Sequence, residues 1–146
     1  MKKIILILTS FFVLHFSCIA QKEIIYNFEN CVIDSLQQGI KMYSKHLNKP
    51  SNTLKLYAVI IENNNEFQIF LQEYSYLPKS GLLDLIKSTN RKIKAGKVVI
   101  PIIVPADIMS NQIKKDKIAA IPLSGYYIKV VYQNYEQKVV QTSISY

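Results

Sequence analysis

The side chains that most often carry nucleophilic and metal chemistry are scarce in this sequence. It contains two His, His15 and His46, and two Cys, Cys18 and Cys31. His15 falls in the export signal described below, so a Ser-His-Asp or Cys-His arrangement would have to use His46. Because the remaining His and Cys cannot supply the three or four protein ligands of a zinc site, we predict no metal site.

The surroundings of His46 and Cys31 favour structural roles for both side chains. His46 follows Lys45 near the end of a predicted helix, where a positive charge complements the helix dipole. Cys31 flanks the apolar stripe of the same helix, and burial in the core is a common environment for a free Cys. An intermolecular disulfide through Cys31 is the alternative in an exported chain. We therefore predict no catalytic residue.

Carboxylate and phosphate chemistry has equally little support. The ten acidic residues form no recognisable pair, and capping or solvation explains Asp84, Asp107 and Asp116. Two carboxylates brought together by the fold, as a glycosidase needs, stay open at this point. The four Gly residues are scattered and form no Gly-rich loop for a phosphate, so we predict no cofactor.

The first twenty residues predict export from the cytoplasm. Lys2 and Lys3 precede an apolar run over residues 4–16. A basic start, a short apolar run and a small-residue exit are typical of a secretory signal. The run is too short for a transmembrane helix, which needs about 20 apolar residues.

Two cleavage sites compete at the end of this signal. Cleavage after Ala20 would release a chain that begins at Gln21, whereas cleavage before Cys18 would leave that Cys lipidated, as in a bacterial lipoprotein. The sequence does not decide between them. In either case residues 21–146 form a single domain that is periplasmic, secreted or lipid-anchored in the cell envelope.

Hydrophobic periodicity predicts the elements of this domain. Apolar side chains at spacings of three and four indicate an amphipathic helix, and Gly39 inside it suggests a close crossing over a sheet. Asn63-Asn64-Asn65 and Asn134-Tyr135 predict hairpin turns. The predicted elements are helix 27–47, strands 53–62 and 66–77, helix 80–89, strand 98–104, helix 105–115 and strands 126–133 and 140–146.

This order, α-β-β-α-β-α-β-β, predicts an α+β fold. Hairpins open and close the set and helical crossovers are few, so we expect a mainly antiparallel sheet of about five strands. The long N-terminal amphipathic helix would pack on one face of that sheet. Pro101 places strand 98–104 at an edge or breaks it, because Pro cannot donate a ladder hydrogen bond. Residues 91–97 are interpreted as a basic connector.

An excess of Tyr on predicted strands is the best indication of a binding surface. The alternation of strand side chains assigns Tyr126 and Tyr132 to the core. It places four others on the outward face, where aromatic residues are typical of protein interfaces. The predicted binding residues are Tyr57, Tyr74, Tyr76 and Tyr127.

Two basic clusters indicate either solvated surfaces or a patch for an anionic partner. The first comprises Lys87, Arg91, Lys92, Lys94 and Lys97, and the second comprises Lys114, Lys115 and Lys117. Arg91 is the only Arg, whereas nucleic-acid recognition favours Arg, so we predict no nucleic-acid partner. Membrane contact is expected only through a lipid on Cys18.

These observations favour a non-enzymatic envelope protein that binds another protein or an anionic envelope component. The alternative is a small hydrolase or transferase whose carboxylate-based site is assembled by the fold. A pocket that gathers Asp or Glu would favour the enzyme, and an exposed aromatic surface would favour binding.

Overall fold

Seven strands form one mixed sheet in the computed structural model, which describes residues 23–75, 81–106 and 125–145. The strand order is β1-β4-β5-β2-β3-β6-β7. β1 pairs with β4 and β2 with β5 in parallel, and the other four neighbouring pairs are antiparallel. The strands are β1 Ile24–Tyr26, β2 Leu56–Asn63, β3 Glu66–Glu73, β4 Arg91–Ala95, β5 Val98–Ile103, β6 Gly125–Gln133 and β7 Glu136–Ser145.

The two helices that the structure describes in full lie on opposite faces of this sheet. Helix α1, Asn30–Leu47, follows β1, and helix α2, Gly81–Ser88, follows β3. A short 3₁₀ turn, Ser51–Thr53, joins α1 to β2. We call the two sides of the sheet the α1 face and the α2 face.

Helix α1 begins and ends through specific backbone contacts. Glu29 precedes its first turn, so the helix begins at Asn30 and not at the predicted residue 27. The Glu29 N–H donates to Gln137 Oε1 at 3.0 Å, and its own Oε1 accepts from the Gln137 N–H at 2.9 Å, so the start of the helix is tied to β7. Asn48 ends the helix in the left-handed region at φ 51°, and the Lys49 N–H donates to Ser44 O at 3.0 Å.

The α1 face carries the larger of two apolar cores. The predicted stripe of α1 packs there, with Val32, Leu36, Ile40 and Tyr43 all buried. Alternate residues of the strands meet it, as the period of a strand requires. The strand residues of this core are Leu56, Ala58, Ile60, Phe67, Ile69, Leu71, Ile93, Ala95, Ile100, Ile102, Tyr126, Ile128 and Val130.

A second core lies on the α2 face. Leu82, Leu85 and Ile86 of α2 pack against the opposite alternation of the strands. The outward face on which the binding tyrosines were predicted is therefore not open where α2 lies, because α2 covers it. The strand residues beneath α2 are Tyr57, Val59, Phe70 and Ile103.

The α+β content is confirmed, but the predicted fold class is wrong in its sheet and element order. The sheet is mixed with seven strands instead of mainly antiparallel with about five, and strand β1 precedes α1. β1 has three residues, too few for a periodic signal. β4 lies within the segment interpreted as a basic connector. Ile93 and Ala95 are buried there, on either side of exposed Lys94. The parallel pairs join segments far apart in the chain, which local patterns do not report.

Pro101 does not mark an edge strand, because β5 lies between β4 and β2. β5 changes partner near this residue. Pro101 is opposite Lys92 of β4, and the pairing with β2 begins only at Ile102. The interior position is tolerated because the parallel ladder to β2 starts after the residue that lacks an N–H.

Gly39 brings α1 into direct contact with β6, as its position predicted. A Cβ built on Gly39 would lie 2.4 Å from Cδ1 and 2.8 Å from Cγ of Tyr126. The Tyr126 ring is 2% exposed and cannot swing away without disturbing the core. On the same helix, the Tyr43 hydroxyl donates to Leu71 O at 2.9 Å and fixes α1 against β3.

The contact predicts that Gly39→Ala destabilises the protein. Ala gains about 1 kcal/mol of helix propensity over Gly. Overpacking a dense core costs about 1–3 kcal/mol, so we expect a net loss of about 1 kcal/mol in the free energy of unfolding. Urea unfolding followed by circular dichroism measures it. Gln38→Ala, at an exposed neighbouring position, is the control. A Gly39→Ala variant more stable than the wild type would contradict the contact.

Candidate functional site

Three of the four predicted binding tyrosines come together, but not as an open surface. Tyr57, Tyr74 and Tyr127 belong to or pack against the core of the α2 face. The Tyr57 and Tyr74 ring centroids are 6.2 Å apart, and Tyr127 lies 5.0 Å from the ring of Phe70. The side chains of Tyr74 and Tyr127 are partly buried. Tyr76 lies outside the described residues.

The expected exposure of Tyr57 is wrong, because its side chain is 1% exposed. The alternation placed it on the correct side of the sheet, away from α1, but could not show that α2 covers that side. The binding role of these four residues stays a prediction.

The hydroxyl of Tyr57 is part of a buried polar contact. It donates to Oε1 of Gln72, a side chain that is itself 5% exposed. Burial raises the pKa of Tyr57 to about 12, with a smaller contribution from the nearby Tyr43. The phenol is therefore neutral at physiological pH and acts as a hydrogen-bond donor that anchors the sheet beneath α2.

An aromatic row on the α1 face is the more open feature. It consists of Tyr26, Phe28, Phe67 and Tyr132. Their ring centroids are separated in turn by 6.0, 5.2 and 5.7 Å. Aromatic pairs at these distances favour tilted arrangements that hold the rings in place. The row lies beside the start of α1, with Phe67 buried at its centre.

Tyr132 ends this row at the surface, so its predicted place in the core is wrong. Its side chain is 50% exposed, whereas Tyr126 of the same alternation is 2% exposed. Tyr132 is the last inward-facing residue of β6, one residue before the strand ends, and half of its side chain meets solvent there. The backbone N–H of Tyr132 donates to Asn65 O at 2.9 Å, which joins β6 to the turn between β2 and β3.

An open cleft of about 350 Å³ lies beside Tyr132. We call it the Tyr132 cleft. The predicted turn is made by Asn64 and Asn65 after Asn63 ends β2, and Asn64 adopts a positive φ of 37°. Side-chain amides and one carboxylate thus surround an exposed phenol ring. The lining residues are Asn63, Asn64, Asn65, Glu66, Val131 and Tyr132.

The carboxylate of this cleft is already paired. Glu66 Oε2 lies 2.8 Å from Nζ of Lys129 across the β3–β6 pair. The hydrogen bond from Lys129 holds the pKa of Glu66 below its ordinary value. Glu66 is therefore an ionised hydrogen-bond acceptor at physiological pH, and its pKa moves away from the value near 7 that suits a proton donor.

Sequence reasoning missed the aromatic row and the cleft because both depend on long-range pairing. Phe67 meets Tyr132 only because β3 pairs with β6, and that pairing was not predicted. The run Asn63-Asn64-Asn65 was identified as a turn. It becomes part of a cleft only when Tyr132 is known to lie beside it.

His46 and Cys31 are not among the residues that line this cleft. His46 is exposed in the last turn of α1, the position from which a charge complements the helix dipole. Cys31 is an exposed free thiol, so its expected place in the core is wrong. Its Sγ–H donates to Gln137 O at 3.1 Å, because the first turn of α1 faces β7 here. Within the described ranges, no cluster of three or more His, Cys, Asp or Glu could hold a metal ion.

The raised pKa of Tyr57 predicts a pH-dependent stability. The unfolded chain loses the phenolic proton near pH 10 and the folded chain near pH 12. The contribution of the buried phenol to the free energy of unfolding is therefore intact below pH 10 and is lost as the pH rises toward 12. By pH 11 the loss amounts to about 1.4 kcal/mol.

We expect Tyr57→Phe to remove this alkaline loss, as measured by urea unfolding at pH 8 and pH 11. Tyr135→Phe is the control, since Tyr135 is fully exposed at a turn. An equal alkaline loss in Tyr57→Phe and in the wild type would show that the buried phenol does not cause it.

Comparison with known proteins adds no relative. No family model, no curated protein and no solved structure matches the chain. Over the residues that the structure describes, no helix has the length and apolar character needed to cross a membrane.

Proposed function

We propose that the protein is an exported, non-enzymatic binding module of the cell envelope that holds a protein partner at the Tyr132 cleft. The observation that carries the proposal is the half-exposed Tyr132 ring, which is supported from behind by buried Phe67 and bordered by the Asn turn. A partly apolar cleft with a few polar groups is the usual form of a binding site.

The position of Tyr132 lowers the entropic cost of binding. A Tyr side chain has two rotatable χ angles, and the tilted contact with Phe67 already restricts this ring. A ring that is fixed before the partner arrives loses little freedom on association. Tyr is also among the residue types that most often dominate the energy of protein interfaces.

The polar lining favours recognition over catalysis. Each Asn side chain offers both a donor and an acceptor, so the turn at 63–65 can match backbone groups of a partner. Glu66 is the one carboxylate among the described lining residues, and Lys129 holds it in its ionised form. A hydrolase of the two-carboxylate type would need a second such group beside it.

Export is part of the proposal and is supported by residues 1–20 alone. The two processed forms differ in mass: one begins at Gln21, and the other carries lipid on Cys18. Either form places the domain where it meets envelope proteins and anionic envelope components, the partner classes that its composition favours.

We predict that Tyr132→Ser weakens capture of the partner by at least about tenfold, because truncating a central interface Tyr costs about 2 kcal/mol or more. The tagged mature protein is used to capture proteins from its own envelope fraction, and mass spectrometry compares the amounts retained. The proposal fails if the protein enriched by the wild type is retained equally by Tyr132→Ser.

Val99→Ser provides the matched control. Val99 is 54% exposed on β5, which β2 and β3 separate from β6, so its replacement removes an exposed apolar side chain without touching the cleft. Capture should be unchanged in this variant. A loss equal to that of Tyr132→Ser would mean that the retention is nonspecific.

A further inference from the structure

We propose that a second cleft, between α1 and the β4–β5 turn, binds a phosphate group carried on a small apolar body. Its volume is about 230 Å³, room for about eight water molecules at ~30 Å³ each. We call it the Lys41–Lys97 cleft. Ile40, Ala95 and Val98 supply its apolar surface.

Two cations from different elements line this cleft. Lys41 belongs to α1, and Lys97 lies in the turn between β4 and β5. Neither ammonium forms an ion pair with a residue that the structure describes, in contrast to Lys92 with Glu23 and Lys129 with Glu66. The described lining contains no carboxylate. An anion entering here therefore meets two positive charges and no opposing negative one.

Neutral hydrogen-bond donors complete the rim. The amide of Gln37 and the hydroxyl of Ser51 both line the cleft. Gly96 turns the chain at φ 64°, and a Cβ there would lie 3.2 Å from Gln37 Nε2. Glycine at this position thus keeps the amide uncrowded and the opening free.

Two ammonium groups, two neutral donors and an apolar surface together favour a phosphate monoester over other small anions. Such a group carries about 1.5–2 negative charges at pH 7 and three strong acceptor oxygens. Two ammonium groups can match its charge, and Gln37 and Ser51 can donate to further oxygens. The apolar surface favours a phosphate attached to a small hydrophobic group over inorganic phosphate.

Phenyl phosphate is the probe, and benzyl alcohol is the neutral control of similar shape. Amide shifts of the ¹⁵N-labelled mature protein follow the titration at low salt. We expect phenyl phosphate to give saturable shifts at Gly96 and at the Gln37 side chain, and benzyl alcohol to give none. Equal binding of the two compounds would overturn the proposal. It would also be overturned if phenyl phosphate gave no saturable shift and phosphatidic acid vesicles gave no lysine-dependent flotation.

Lysine variants test the charges. Lys41→Gln and Lys97→Gln should each weaken binding about threefold, and the double variant about tenfold. Lys45→Gln, one helical turn further along α1 and outside the lining, should leave the affinity unchanged. An unchanged affinity in the double variant would overturn the assignment, provided that its spectrum shows the native dispersion.

A free phosphate monoester and a phospholipid headgroup share this chemistry, so vesicles distinguish the two sources. Phosphatidic acid vesicles are compared with phosphatidylcholine vesicles in a flotation assay. Lysine-dependent flotation with phosphatidic acid, without binding of phenyl phosphate, identifies a headgroup; binding of phenyl phosphate identifies a soluble ester. The proposal uses no residue of the Tyr132 cleft, so either proposal can fail without the other.

Discussion

The approach of Gly39 to Tyr126 is the constraint on which the arrangement of helix and sheet depends. With no Cβ on Gly39, α1 lies against the ring of Tyr126 at a distance that any other residue would increase. The Tyr43 hydroxyl then reaches Leu71 O, and Gly125, at φ 119°, leaves the space that this hydroxyl occupies. Two glycines and two tyrosines thus determine where the helix crosses β3 and β6.

The position of α1 on the sheet determines both the Tyr132 cleft and the Lys41–Lys97 cleft. The start of α1 is tied to β7 through Glu29 and Gln137, the residue opposite Tyr132, and Tyr132 is half-exposed there beside the Asn turn. The neighbours of Gly39 on the helix, Gln37 and Ile40, face the β4–β5 turn and form one wall of the Lys41–Lys97 cleft. A helix held farther from the sheet would alter both openings.

Local patterns predicted what depends on neighbouring residues. The stripe of α1, the Asn63-Asn64-Asn65 turn, the close crossing at Gly39 and the burial of Tyr126 are confirmed, because periodicity and turn chemistry act within a few residues.

What local patterns missed depends on distant segments. The parallel pairing of β1 with β4, the interior position of Pro101 and the cover of α2 over Tyr57 are all long-range packing. The alternation correctly placed Tyr57 and Tyr132 on faces of the sheet. Tyr57, which was expected to be exposed, is buried, and Tyr132, which was expected in the core, is half-exposed. Alternation gives the direction of a side chain but not what covers it.

Site-specific photo-cross-linking inside the producing cells tests the central claim, a partner held at the Tyr132 cleft, most directly. A benzophenone amino acid replaces Tyr132 in one variant and Val99 in another, and the cross-linked products are identified by mass spectrometry. The account predicts one discrete protein adduct from position 132 and none from position 99. Adducts of equal yield from both positions, or no adduct from position 132, would contradict it.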